Sequence, residues 1–293
     1  MSVLIHIGYP KAGSTFLQEW FRGHPNIFYD THFLQPYSNT GVIPDKTIPA
    51  LNGRQHFVIS EEQLVLWQGE LDIVGLKFKP FDIKAQQQNT AEALKKNFPD
   101  AKVLIVTRGF ESLLQSMYAQ YISMGGILGF AAYQEQMGEH LATFYDYNRV
   151  INLYRNTFGP ERVIVLPFEL LKEDAARFMQ LLSDLSGIES SNNLNYVVVN
   201  PSLDKNLLPS YRLISQTLCN LTSIIPRNTQ VKIYSNYVAA LSQKRSGLAG
   251  LLSKFMGGEE LTVKPETLKL FRGKAEELRQ ENLFAPYLKE YLL

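Results

Sequence analysis

Short apolar runs alternate along the chain with stretches in which apolar positions recur every three or four residues. Val3, Leu4, Ile5 and Ile7 form a partly β-branched run closed by Gly8, which predicts a buried first strand. His56–Ile59, Lys102–Thr107 and Val163–Leu166 are runs of the same kind. The stretch KVLIVT is almost continuously apolar, as a central parallel strand covered on both faces should be. Val74–Phe78 predicts another short strand before Pro80. Helical spacing places Phe16, Leu17, Trp20 and Phe21 on one face of Ser14–Arg22, with Gly23 and Pro25 as the stop. Further helices are predicted after Ser60, over Thr90–Phe98 and Phe110–Met124, from about Ala131 to Phe158, and over Asp174–Ser186 with Gly187 as cap.

Strand and helix alternate through residue 187. That is the signature of an α/β fold with a central, mainly parallel sheet between two helical layers, a three-layer α/β/α architecture. Residues 24–55, rich in Pro, Asn, Gly and Tyr, read as a long loop, and residues 188–204 as an Asn/Ser-rich one. Residues 205–293 read as helices separated by Pro226, Gly247, Gly257-Gly258, Pro265 and Pro286. Without a repeat or linker, the simplest organisation is one domain over 1–293. Residues 1–187 are its α/β core and 188–293 its helical C-terminal part.

With 45% hydrophobic and 19% charged residues, the chain has the composition of a globular protein with a large core. A net charge of +1 gives no global field for nucleic acid, so any anion site must be built locally. A single cysteine, Cys219, excludes a disulfide framework and a cysteine-based metal cluster, and reads as a small core residue. No charged-then-apolar leader opens the sequence and no apolar run reaches transmembrane length, so a soluble, cytoplasmic protein is expected.

The strongest chemical signal is the first strand–turn–helix, VLIHIGYPKAGSTFLQEWFR. Backbone N–H groups of Gly13, Ser14 and Thr15 at a helix start, with the helix dipole behind them, make an anion site. The spacing Gly8-x4-Gly13 is that of a nucleoside-triphosphatase P-loop, but the charge is moved. Ser14 occupies the place of the usual lysine, and Lys11 sits inside the loop. Tyr9-Pro10-Lys11-Ala12-Gly13-Ser14-Thr15 resembles the 5′-phosphosulfate loop of sulfotransferases that use 3′-phosphoadenosine 5′-phosphosulfate (PAPS). The resemblance implies a P-loop NTPase-like fold, with Lys11, Ala12, Gly13, Ser14 and Thr15 binding the 5′ end of the donor.

A second anchor follows KVLIVT. Arg108 stands at the carboxyl end of that strand, where open α/β sheets bind ligands. Ser112 and Ser116 share a face of the following helix. A guanidinium and a hydroxyl converging suit a phosphate monoester. The stretch from Val106 to Tyr118 resembles the same family's 3′-phosphate motif, with Arg108, Ser116 and Tyr118 in matching places and Phe110 where a proline is often found. VIVLPFELL, residues 163–171, and the helix ending at Ile188 are similar to the family's later strand and helix. The resemblance covers about residues 3–25 and 100–190.

It implies transfer of a sulfuryl group from PAPS to an acceptor oxygen, leaving adenosine 3′,5′-bisphosphate (PAP), with Lys11 neutralising the leaving group. No metal is required, since there is no β,γ-diphosphate to clamp. A general base is needed, and the family's lies between the two phosphate motifs as a His or Glu. Glu61, Glu62 and His56 are the candidates, and Glu61, just past a strand end, is preferred. Lys77, Lys79 and Lys205 are secondary candidates for anion contacts. Arg272-Gly273-Lys274 is set aside as part of a helix. The acceptor implied is a small molecule or glycan, a carbohydrate or glycolipid hydroxyl. The rival readings are a P-loop kinase of small molecules and a nucleotide-binding module without catalysis.

Overall fold

The structure, a computed structural model, describes all residues except 32, 35–41, 44, 46, 47, 66–70, 79–81, 191–202 and 243–246. A five-stranded sheet contains β1 (Ser2–His6), β2 (Ile27–Tyr29), β3 (His56–Ser60), β6 (Lys102–Thr107) and β7 (Val163–Pro167), in the order β2-β3-β1-β6-β7. Every pairing is parallel. The register sets Leu4 beside Val58, Ile5 beside Val103 and Leu104 beside Ile164. All residues of β3 and β7, and Val103–Thr107 of β6, are buried. Successive strand residues face opposite ways, so the sheet is covered on both faces, as the apolar runs predict. Two residues each of β4 (Leu71–Asp72) and β5 (Lys77–Phe78) form a separate antiparallel pair.

The helices of the core are α1 (Ser14–Gly23), α2 (Ile83–Asn97), α3 (Phe110–Ser123), α4 (Phe130–Phe144), α5 (Tyr147–Phe158), α6 (Phe168–Glu173) and α7 (Ala175–Ser186). Beyond them lie α8 (Leu208–Leu221), α9 (Arg227–Ser242), α10 (Gly247–Met256) and α11 (Pro265–Lys269). One apolar cluster runs from Leu4 to Tyr291.

Several expectations are corrected. The loop expected over 24–55 contains β2, which adds to β3 as a parallel edge strand. The helix expected after Ser60 is a single 3₁₀ turn, Glu62–Leu64. The expected helix over Thr90–Phe98 starts seven residues earlier, because Asp82 accepts the Ala85 N–H as an N-cap. The helical pattern from Ala131 to Phe158 is two helices. Asp146 accepts the Arg149 N–H and starts α5 afresh, so a capping residue overrides a continuous apolar period. Arg272-Gly273-Lys274 is a turn after α11, with Gly273 at φ 69°. The Lys274 ammonium pairs there with Asp146 at 3.1 Å.

The C-terminal residues close over the carboxyl end of β6. Glu169, buried at the start of α6, accepts the Gly109 N–H at 2.9 Å and the Tyr291 hydroxyl at 2.5 Å. Thr107 donates to the Tyr291 oxygen at 3.1 Å. Phe271 packs on Phe110 with ring centroids 4.8 Å apart. Glu169→Ala would leave two buried donors without an acceptor. It should cost about 2–5 kcal/mol in urea unfolding, whereas Glu173→Ala, losing the half-buried Tyr287 contact, should cost about 1 kcal/mol or less.

Candidate active site

β1 and β6 are neighbours, and the chain leaves them toward opposite edges of the sheet, to β2 and to β7. The crevice between their carboxyl ends is therefore the topological switch point, where open parallel sheets take ligands. The β1–α1 turn and the β6–α3 turn line it.

The first turn is built from below. Tyr9 is buried, stacks on Tyr145 at 5.1 Å between ring centroids, and meets Tyr147 edge-on at 5.2 Å. Above this floor the Ala12 N–H closes a turn onto the Tyr9 carbonyl at 3.2 Å. Lys11 lies in the left-handed region at φ 66°, a conformation that costs a lysine free energy and is kept where surroundings enforce it. Gly13 follows at φ 86°, and a Cβ there would stand 2.7 Å from Leu171 Cδ2. Ser14 is buried and donates to the Tyr9 carbonyl at 3.2 Å, while Thr15 is half-buried. The first N–H groups of α1 have no acceptor within the helix and face the crevice end of the dipole.

The second turn is fastened to the first. Arg108 Nη1 donates to the Lys11 carbonyl at 2.7 Å, and Nε donates to Ser112 Oγ at 3.1 Å. The guanidinium lies 4.8 Å from the centroid of the Phe168 ring. The Tyr147 hydroxyl accepts the Arg108 N–H at 3.1 Å and donates to the Arg108 carbonyl at 2.8 Å, fixing the backbone. Ser112, Ser116 and Gln120 recur every four residues on one face of α3. The Lys11 ammonium donates to Gln120 Oε1 at 3.3 Å. Ser116, buried, lies between those two contacts along the helix. Lys11, Ala12, Gly13, Ser14, Thr15, Arg108 and Ser116 are thus brought to one crevice.

Of the three candidate bases, the structure brings Glu62 to the loop. Its carboxylate lies near enough to Ser14 and Lys11 for each to favour its ionised form. Burial raises its pKa above the usual 4.5, Ser14 and Lys11 pull it back, and Glu61 pushes it up again. Burial lowers the Lys11 pKa, which Glu62 opposes and Arg108 reinforces. Glu61, the preferred candidate, acts electrostatically on both Glu62 and the Tyr29 hydroxyl of β2. His56 begins β3, at the amino edge of the sheet, where Nδ1 meets Ser2 Oγ at 2.7 Å. That edge is opposite the crevice. His6 is wholly buried, bonded through Nδ1 to Ser60, and held neutral by a pKa lowered to about 3.

Other candidates lie elsewhere. Lys205 is exposed, with its carbonyl accepting the Glu259 N–H. Lys79 and the Lys77 side chain fall outside the described residues. Gln120, Tyr147, Phe168 and Glu169 were not among the sequence candidates. Gln120 could have been found as the next step of the Ser112–Ser116 spacing. Phe168 and Glu169 stand in the VIVLPFELL run that resembles the family's later strand, while Tyr147 carries no local signal because its sheet neighbours bring it in.

The family model described as "Sulfotransferase domain" matches residues 2–206. Two solved structures are similar in fold. A sulfotransferase from Alicyclobacillus acidocaldarius is 16% identical, with 85% of this chain and 96% of that chain covered and a TM-score of 0.46. The mouse sulfotransferase SULT7A1 complexed with PAP is 13% identical, with 99% of this chain and 87% of that one covered and a TM-score of 0.44. No match was found among curated proteins.

The folded-state pKa of Glu62 lies above its unfolded one. The ionised carboxylate therefore costs stability at neutral pH, and that cost vanishes as pH falls below the ordinary value of 4.5. Glu62→Gln should accordingly melt at a higher temperature than the wild type at pH 7, the two converging in acid. Thermal unfolding across pH checks this, and an unchanged or lowered melting temperature at pH 7 would contradict the burial of the charge.

Proposed function

The chain belongs to the sulfotransferase family, and we propose that it moves a sulfuryl group from PAPS to a carbohydrate or glycolipid hydroxyl, in the cytoplasm. The observation that carries this reading is the 2.7 Å hydrogen bond from Arg108 to the Lys11 carbonyl. It fastens together two turns whose sequences resemble the binding motifs for opposite ends of that donor.

The crevice suits such a group. Arg108 gives two of its five donors to Lys11 and Ser112, which leaves others for an anion. Lys11 gives one of three to Gln120. Gly13 offers backbone without a Cβ in the way of Leu171 and lets the N–H groups of the turn approach closely. Ala12, Gly13, Ser14 and Thr15 would hold the 5′-phosphate, and Arg108 with Ser112 and Ser116 the 3′-phosphate. When bound, PAPS supplies a sulfuryl group already activated by its anhydride link to phosphate.

The protein's part is positioning and charge. Lys11 stabilises negative charge growing on the leaving phosphate. Its carbonyl is pinned by Arg108 and its ammonium by Gln120, so it is oriented before the reaction rather than during it. Glu62 takes the proton of the acceptor hydroxyl at a carboxylate oxygen. A carboxyl raised by burial is a stronger base than one in water, and its nearness to Lys11 keeps it ionised enough to act. The electrostatic proximity of Glu62 to Ser14 and Lys11 supports it over Glu61 as the base.

PAP should raise the melting temperature without magnesium, and ADP far less. Stabilisation by ATP only with magnesium would favour a small-molecule kinase. Nucleotide binding without sulfation across carbohydrate and phenol panels would favour a non-catalytic module. Lys11→Ala should lower the single-turnover rate about 10²–10³-fold with only a several-fold change in PAP affinity. Equal losses would remove its leaving-group role. Glu62→Gln should lose a comparable factor and Glu61→Gln little, and the reverse order would return the base to Glu61.

A further inference from the structure

The near-zero net charge hides a strong segregation. Residues 205–258 contain Lys205, Arg212, Arg227, Lys232, Lys244, Arg245 and Lys254 and not one Asp or Glu. The rest of the chain holds the other 22 Lys and Arg residues and all 28 acidic ones. A segment of +7 is therefore joined to a body of −6.

The same segment carries most of the exposed apolar bulk. Among the described residues, twelve large hydrophobic side chains are exposed. Seven of them belong here: Leu213, Leu221, Ile224, Ile233, Leu251, Phe255 and Met256. Ile224 is 89% exposed, Phe255 83% and Leu221 69%. They lie on α8, α9, α10 and the turn between α8 and α9, which pack into one layer. Ser215 of α8 meets the Tyr237 hydroxyl of α9 at 2.8 Å, and Ser210 of α8 meets the Met256 sulfur at 3.7 Å. Each helix buries one side, Leu208, Tyr211 and Ser215 on α8 and Ala249 on α10. Leu213, Thr217 and Leu221 recur every four residues along the outer side of α8. On α10, Leu251, Lys254 and Phe255 share the outer side at helical spacing. Lys205, Lys232 and Lys254 are exposed.

We propose that this layer docks on an anionic lipid bilayer. Exposed Lys205, Lys232 and Lys254, interleaved with Leu, Ile and Phe tips on helices far too short to span, have the make-up of an interfacial surface, while Arg212 and Arg227 of the same segment are paired with Glu259 and Asp72. Among the described residues no helix is long and apolar enough to cross a membrane. A second copy of the chain suits the face poorly, because a two-fold contact would set its cations against themselves.

The layer leans on the far end of α3. Gln216 donates to the Ile127 carbonyl at 2.7 Å, and Tyr234 to the Gly125 carbonyl. Gln120, the Lys11 partner, is one turn earlier on α3. Docking therefore brings that side of the crevice toward the lipid. On the proposed transfer reading, on which this clause alone rests, the acceptor hydroxyl belongs to a headgroup presented at that surface.

Co-sedimentation of the full chain tests this with vesicles of phosphatidylcholine and phosphatidylglycerol at about three to one. Vesicles of phosphatidylcholine alone are the comparison. The wild type should pellet with the anionic vesicles, hardly with the neutral ones, and lose binding at high salt. The double variant Leu251→Ser, Phe255→Ser should bind about tenfold more weakly, and Lys254→Glu should reduce binding and its salt dependence. Both should keep the wild-type melting temperature and its rise with PAP, since the substituted side chains are exposed. Wild-type protein ignoring anionic vesicles, or variants binding as well as wild type, would overturn the proposal. So would self-association that the double variant abolishes without any vesicle binding. A failed PAP response with intact vesicle binding would strike the transfer reading and leave the docking.

Discussion

A single carbonyl organises the crevice. The Lys11 backbone oxygen, turned into the space between β1 and β6 by a left-handed residue, receives the Arg108 guanidinium. Two cationic side chains are thereby held side by side, partly out of water, where like charge is costly. Burial lowers the pKa of both, and each has a carboxylate near enough to oppose that shift, Glu62 for Lys11 and Glu169 for Arg108. Burial still outweighs those carboxylates, so a further anion at either cation is favourable. A ligand with anionic groups at two points meets both cations, so the ordering that the fold imposes in advance is recovered on binding.

The strain is held by packing rather than by the loop itself. Tyr9 under the turn is enclosed by Tyr145, Tyr147 and Phe144, and Tyr147 also clamps both backbone groups of Arg108. One aromatic group thus sets the height of both turns. Glu169 adds a second clamp from the start of α6 and, through Tyr291, from the C-terminal residues. The helical C-terminal part is in this sense structural support for the second turn, although its sequence gives no sign of it.

Legibility followed locality. β1, β6 and β7 could be read because each is a continuous apolar run whose burial on both faces leaves a one-dimensional trace. The Lys11 loop and Arg108 could be read because turn chemistry and strand ends are short-range features. The break at Asp146 was masked because the apolar period continues through it. β2 was masked because three residues of edge strand carry little pattern. Glu61 and Glu62 differ by one residue, and the 3₁₀ turn that begins at Glu62 sets which carboxylate lies nearer the Lys11 loop. No periodicity argument resolves a one-residue choice of that kind. Within the stretch 24–55, Phe33 is buried against Phe57 at 5.0 Å and belongs to the core.

Net charge was the least informative number in the sequence, for a physical reason. Coulomb interactions in salt reach about 8–10 Å, far less than the size of a chain of this length. Each region therefore acts on its surroundings with its own charge and not with the sum. The crevice presents Lys11 and Arg108 on a body that is negative overall, which confines its attraction to anions that enter. The α8–α10 layer presents cations beside exposed Leu and Phe and attracts whatever is both anionic and able to accept apolar tips. The two electrostatic regions are set on one helix: α3 carries Arg108's partner Ser112 and Lys11's partner Gln120, and its far end bears the cationic layer. A rigid helix between them fixes the angle at which the crevice meets any surface that the layer engages. On the proposed transfer reading, the orientation of the acceptor toward Lys11 and Glu62 becomes a property of the fold rather than of the acceptor.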